Sequence, residues 1–216
     1  MAASRSGTPE ATRKAILRRI RSRSARGVLP AWSRAPSRRD SRVRRKLLLL
    51  LGGHETTANM ISLGTLLLLR HPERLALIRD ADDPAVIRDA VEELLRYLTI
   101  VHLGRRRTAL EDIEIAGRTI KAGDGVILLG ELANRDPSVF PEPDRLDITR
   151  DARRHQAFGA GAHHCVGQPL ARMELQAIYP ALFRRIPTLR AVGDLDAIPF
   201  KYDAVIYGLH ELPVTW

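Results

Sequence analysis

Cysteine is all but absent from this chain: 216 residues contain one, Cys165. One thiol cannot close an internal disulfide, so a disulfide-stapled scaffold is excluded and a reducing, cytoplasmic setting is expected. The lone cysteine is left with packing, reactivity or metal ligation as its use. Acidic residues are scarce at one end of the chain. Residues 1–46 carry 15 Lys and Arg against 2 Asp and Glu, a net of +13. The formal charge of +10 therefore belongs to that stretch, and the remainder is close to neutral at −3. A globular nucleic-acid-binding surface is not expected from such a distribution. Long apolar runs are lacking too. The best candidate, Leu47–Leu69, is broken by Gly52-Gly53-His54-Glu55-Thr56-Thr57. It falls short of the roughly 18 consecutive apolar residues that suggest a spanning helix, so no membrane association is expected.

The length suffices for one or two domains with a real core. Residues 1–46, rich in Arg, Ser, Ala and Pro, are read as a basic tail expected to be disordered. Within it, Ile16, Leu17 and Ile20 share a face of a short helix over Ala11–Ile20. The same composition describes an organelle transit peptide or a nucleic-acid-binding arm. The solvated tail is preferred to both.

Residues 47–216 form the globular part. Leu47–Leu69 reads as a long helix, apolar nearly all round and so expected to be buried. Helices over Pro72–Asp80 and Ala85–Leu98 follow, with Asp82-Asp83-Pro84 as turn and cap. The period then switches to two. Asp112–Ile115 and Thr119-Ile120 flank Ala116-Gly117-Arg118 as a hairpin, and Val126–Leu129 is a further apolar run. Residues 133–157 hold the turn pairs Asp136-Pro137, Phe140-Pro141 and Glu142-Pro143 and read as a meandering loop. A last helix opens at Gln168-Pro169, and Pro180 is expected to kink or end it. Short strands around Gly208 close the chain. The fold class is mainly α with small antiparallel β elements (α+β).

Three constellations carry chemistry. Phe158-Gly159-Ala160-Gly161-Ala162-His163-His164-Cys165-Val166-Gly167 encloses the cysteine with three glycines, which let the backbone pass close to something flat or bulky. The bland alternative is a buried free thiol in a glycine-rich turn. Because a helix starts next, Cys165 sits before an N-terminus, where the dipole favours a thiolate. The second constellation is the Gly-Gly-His-Glu-Thr-Thr interruption. An acid and an alcohol inside an apolar helix are costly unless used or hydrogen-bonded. A plain structural account has Thr56 or Thr57 bonding back to a carbonyl four residues earlier. The third is Glu93-Leu94-Leu95-Arg96, whose i,i+3 spacing alone gives only an ordinary ion pair. Arg107 lies in a basic run after Arg105 and Arg106, otherwise read as solvated. A zinc site at His163-His164-Cys165 lacks a second ligand pair with usable spacing.

Phe-x-x-Gly-x-His-x-Cys-x-Gly resembles the cysteine-ligand loop of the cytochrome P450 family, and the other segments stand in that family's order over residues 46–216. The chain looks most like bacterial soluble members, with Ala133–Pro137 matching their Ala-Asn-Arg-Asp-Pro-like segment. Segments that precede the central helix in the family have no counterpart in residues 1–46. The resemblance implies a truncated P450 fold over 47–216 and haem b (iron protoporphyrin IX) held through the Cys165 thiolate. It implies Glu55 and Thr56 as the acid–alcohol pair that manages protons, with Gly53 giving oxygen room over the haem. Arg107 and His163 match haem-propionate contacts, and Phe158, Gly161 and Gly167 shape the ligand loop. Glu93, Arg96 and Arg145 match a structural buttress. Thr99–Leu103 and the Gly208 turn would touch substrate. The implied activity is a haem-thiolate monooxygenase acting on a small hydrophobic organic substrate, with a ferredoxin-type electron donor. The competing expectations are a truncated, inactive remnant with weak or no haem binding, and a binding module acting through the basic tail.

Overall fold

The computed structural model describes residues 38–216; the basic helix expected at Ala11–Ile20 lies outside the described residues. Contacts divide the chain into Met1–Lys46 and Leu47–Trp216. In the first unit, Arg38–Lys46 are helical, and Arg45 Nε donates to the Ser41 carbonyl at 3.2 Å. The rest of the description concerns the second.

Helix α1 runs over Arg38–Leu69 and so begins earlier than the expected Leu47. Arg and Lys are good helix formers, and a polar composition alone does not stop a helix. Burial along α1 is divided. Met60, Leu63, Leu66 and Leu68 are at most 4% exposed, while Leu47–Leu51 are 54–71% exposed. The expectation of a helix buried along its length is corrected: only the last third of α1, from Asn59 onward, enters the core.

Helices α2 (Pro72–Arg79) and α3 (Pro84–Leu98) each carry proline in the first turn. The Asp83 carboxylate accepts the Ala85 N–H at 2.8 Å, which caps α3. Strand β1 (Arg105–Thr108) pairs antiparallel with β4 (Gly125–Leu128), and β2 (Ile113–Ile115) with β3 (Arg118–Ile120). The β2–β3 turn places Ala116 and Gly117 at φ 48° and 72°, the two positive φ values of a tight hairpin turn. Helix α4 (Gly130–Ala133) leads into the irregular segment 134–160. Helix α5 (Gln168–Arg185) follows, and β5 (Arg190–Ala191) pairs with β6 (Val214–Thr215).

Of the two outcomes expected at Pro180, a kink or an end, the second does not occur: α5 continues to Arg185. The lost hydrogen bond, worth about 3 kcal/mol, is offset by packing on both sides. Tyr179 and Phe183 are at most 1% exposed, and burying such side chains contributes about 1.5–3 kcal/mol each. The crossing of α5 with α1 is close at Gly64, where a Cβ would overlap the Tyr179 ring. Tyr179 donates from its hydroxyl to the Met60 carbonyl at 2.7 Å.

Glu93 and Arg96 are both fully buried and joined by two hydrogen bonds, 2.6 and 2.8 Å. Arg96 also donates to the carbonyls of Asn134 (2.7 Å) and Pro143 (2.9 Å), and Glu93 accepts the Asp147 N–H at 2.9 Å. This pins α3 to the irregular segment. The expected third member, Arg145, is exposed and bonds Glu142 at 3.0 Å instead. Its place is taken by Arg150, whose Nε stands 3.4 Å from Glu93 Oε1. That approach is electrostatic, since Nε has no hydrogen-bond partner, while the rest of the guanidinium donates to the carbonyls of Pro141 and Glu142.

Candidate functional site

The glycine-rich loop folds on its own backbone. Cys165 N donates to the Phe158 carbonyl at 3.0 Å and His164 N to that of Gly161 at 3.0 Å. Gly159 and Gly161 take φ values of +73° and +68°, open to glycine at little cost. A Cβ on Gly159 would also press on the Arg105 guanidinium, 3.2 Å away. Cys165 itself is exposed, immediately ahead of α5.

The thiol lines a cleft of about 230 Å³. Helix α1 contributes Gly52, Thr56, Thr57 and Met60 to it; the cysteine loop contributes Phe158, His163 and Cys165. Thr56 donates from Oγ1 to the Gly52 carbonyl at 2.5 Å, the back-bond one turn earlier. Its proton is thereby committed to the helix, and its lone pairs remain to accept. Thr57 is held differently, donating to Glu174 Oε2 of α5 at 3.1 Å.

Four of the expected site residues, Thr56, Phe158, His163 and Cys165, meet in this cleft. Gly53 and Glu55 do not: both are exposed on α1, and the glycine at the cleft wall is Gly52. Gly161 and Gly167 shape the loop without lining the cleft. Arg107 is exposed and donates to the Arg106 carbonyl at 2.8 Å. It meets His163 in an adjoining cavity of about 340 Å³.

Arg105 was missed as a site residue, yet it lines both cavities. It donates to the carbonyls of Gln156 (3.2 Å) and Ala157 (3.3 Å). The signal was available. On a strand, Arg105 and Arg107 share one face and Arg106 takes the other. His164, expected to be exposed, is exposed.

Electrostatically the site is one-sided. Arg105 and His163 line both cavities and Arg107 the second, and no Asp or Glu among the described residues lines either one. Such a rim suits an anionic edge. The walls are otherwise apolar, with Met60, Leu95, Ile100 and Phe158 among them. No three His, Cys, Asp or Glu side chains cluster as metal ligands among the described residues. The residues present fit a flat, apolar, metal-bearing group with an acidic edge.

Comparison with known proteins agrees with that geometry. The family model described as Cytochrome P450 matches residues 42–187. The chain belongs to the cytochrome P450 family. It is 61% identical over 172 residues to cytochrome P450 GfsF of Streptomyces halstedii, covering 79% of this chain and 42% of that protein. It is 58% identical over 169 residues to cytochrome P450-SU2 of Streptomyces griseolus, covering 78% of this chain and 41% of that one. The crystal structure of GfsF superposes with a TM-score of 0.81 at 51% identity, covering 97% of this chain and 50% of that one. A mycinamicin VIII C21 methyl hydroxylase from Micromonospora griseorubida gives a TM-score of 0.77 at 46% identity, with 81% and 44% covered. The chain thus spans about two fifths of the length of the curated P450 relatives it matches. Haem is the cofactor this family implies. Helical architecture with small antiparallel sheets is that of the matched part of the P450 fold. No helix among the described residues is long and apolar enough to cross a membrane.

Proposed function

We propose that this chain carries the haem-thiolate centre of a cytoplasmic monooxygenase that inserts one atom of dioxygen into a small hydrophobic organic substrate. A ferredoxin-type protein would supply the electrons. The observation that carries the proposal is the meeting of the Cys165 thiol and the Thr56 hydroxyl in one cleft with a cationic, carboxylate-free rim. When bound, haem b supplies the dioxygen activation and oxygen transfer that no side chain can perform.

The chain's own residues hold it and handle protons. Cys165 Sγ, ahead of the α5 N-terminus, would hold the haem iron as a thiolate. His163 and Arg107 would hold the propionates, and Arg105 lines the same cavity. Thr56 Oγ1, its proton donated to the Gly52 carbonyl, would accept a hydrogen bond from a water in the cleft. Glu55 precedes it on the exposed side of α1, where its carboxylate exchanges protons with solvent and passes them inward. Phe158, Gly161 and Gly167 fix the loop path, while Gly53 beside Gly52 keeps the α1 surface low. Thr99–Leu103 supply Ile100 and Val101 to the wall against which an apolar substrate rests.

A second possibility, an inactive piece with weak or no haem binding, is favoured by one observation: Leu47–Leu51, on the cleft helix α1 itself, are more than half exposed. One experiment decides between them. Purified protein is reconstituted with haem, reduced and exposed to carbon monoxide. The proposal expects a strongly red-shifted Soret band that Cys165→Ala abolishes. Failure to retain haem supports the inactive piece.

A further inference from the structure

We propose that Glu92 is a positioning residue that clasps both ends of the cysteine loop, through His155 on the entering side and Arg172 on the leaving side. Glu92 lies on α3 and is 6% exposed. Its Oε2 stands 2.9 Å from His155 Nε2. Its Oε1 accepts Arg172 Nε at 2.5 Å, and Oε2 also accepts Arg172 Nη2 at 3.0 Å. His155 precedes Cys165 by ten residues and Arg172 follows it by seven. One carboxylate therefore ties together the two strands of chain between which the loop is suspended.

The hydrogen-bond pattern fixes the histidine tautomer. His155 Nδ1 accepts the Ala157 N–H at 3.1 Å, so Nε2 carries the ring proton and donates it to Glu92. Phe158, where the loop starts, is contacted from both arms. The Arg172 guanidinium lies 4.7 Å from its ring centroid, and the His155 ring is centred 5.8 Å away. Neighbouring Glu93 serves a separate purpose, since its partners are Arg96 and the Asp147 N–H in the irregular segment. The loop needs an external hold because Gly159, Gly161 and Gly167 give it backbone freedom. A thiolate ligand must be held within about half an ångström of its working position.

The inference deepens the haem-thiolate proposal, because a fixed sulfur matters most when it binds a metal, but it can be tested without haem. Amide hydrogen exchange and alkylation of Cys165, the sole thiol, are measured on the full chain as wild type, Glu92→Gln and Glu92→Asp. Glu92→Gln is expected to speed exchange at the Gly159, His164 and Cys165 amides at least tenfold, while alkylation of the already exposed Cys165 changes less. Amides of Leu63 and Phe183 in the core keep their wild-type rates, and Glu92→Asp falls between. Unchanged loop exchange in folded Glu92→Gln would overturn the clasp, as would equal acceleration of loop and core. Should Glu92→Gln not fold, Arg172→Gln cuts one arm only and is judged by the same two patterns. If wild type fails to take up haem, the monooxygenase proposal falls while the exchange result still decides the clasp.

Discussion

Glu92 illustrates how much one side chain can be asked to do. Burial alone would push its carboxyl up from the ordinary 4.5, but hydrogen bonds from His155 and Arg172 and the charge on Arg172 outweigh it, bringing it down to about 2. A carboxyl depressed in the fold contributes stability that is complete above its unfolded value and is lost as pH falls through the folded one. The window is therefore pH 4.5 down to about 2, and the contribution on the order of 3 kcal/mol. Arg172, His155 and the nearby Arg153 are the charged or titratable groups facing it. Thermal melts across that window should show a shallower acid loss for Glu92→Gln than for wild type; parallel curves would contradict the assignment.

Legibility at this scale was uneven. Cys165 and Thr56 stood out because a lone thiol and an alcohol in an apolar helix are each locally anomalous, whereas His163 came only from the match to the family's cysteine-ligand loop. Arg105, Arg150 and Glu92 did not. Each looks like an ordinary surface charge until folding brings in a partner tens of residues away. Arg145 came from the family's buttress pattern and proved exposed. The difference can be measured: Arg145→Ala should change stability by less than about 0.5 kcal/mol. Arg150→Ala, which frees carbonyls of the irregular segment, should cost about 1–3 kcal/mol by denaturant unfolding.

Among elements, the crossing of α1 and α5 sets the back of the site. Gly64 lets Tyr179 pass beneath α1, and burial pushes the phenol's pKa up, so it remains a donor to Met60. Gly64→Ala should destabilise by about 1–3 kcal/mol through overpacking. Adding Tyr179→Phe removes the hydroxyl that the new methyl meets, so the double variant should lose less than the sum of the two singles. Additive losses in a double-mutant cycle would refute that contact. Helices α2, α3 and α5 were readable from proline starts, caps and apolar spacing. The extension of α1 back to Arg38 was not, because it has no apolar face to reveal it. Nor was its divided burial, since a run of leucines reads alike whether or not another element covers it. That α5 does not end at Pro180 has a related reason: propensity is local, and the packing of Tyr179 and Phe183 that overrides it is not.

Over the whole molecule, net charge and distribution separate a strongly basic N-terminal stretch from a nearly neutral remainder. The apolar surface of Leu47–Leu51 is a contiguous exposed patch of the kind that mediates association. Leu48→Lys and Leu50→Lys together should raise solubility with little loss of melting temperature, because both positions are more than 60% exposed. A large drop in melting temperature would show that the patch is covered in solution. The central claim is that Cys165 is the iron ligand. Met60 also lines the cleft, so sulfur near iron is not enough by itself. Iron K-edge X-ray absorption on the haem-reconstituted protein resolves the matter. The account predicts one sulfur scatterer in the iron's first shell in wild type and none in Cys165→Ala. A wild-type shell of nitrogen and oxygen alone, or a sulfur that survives Cys165→Ala, would contradict it.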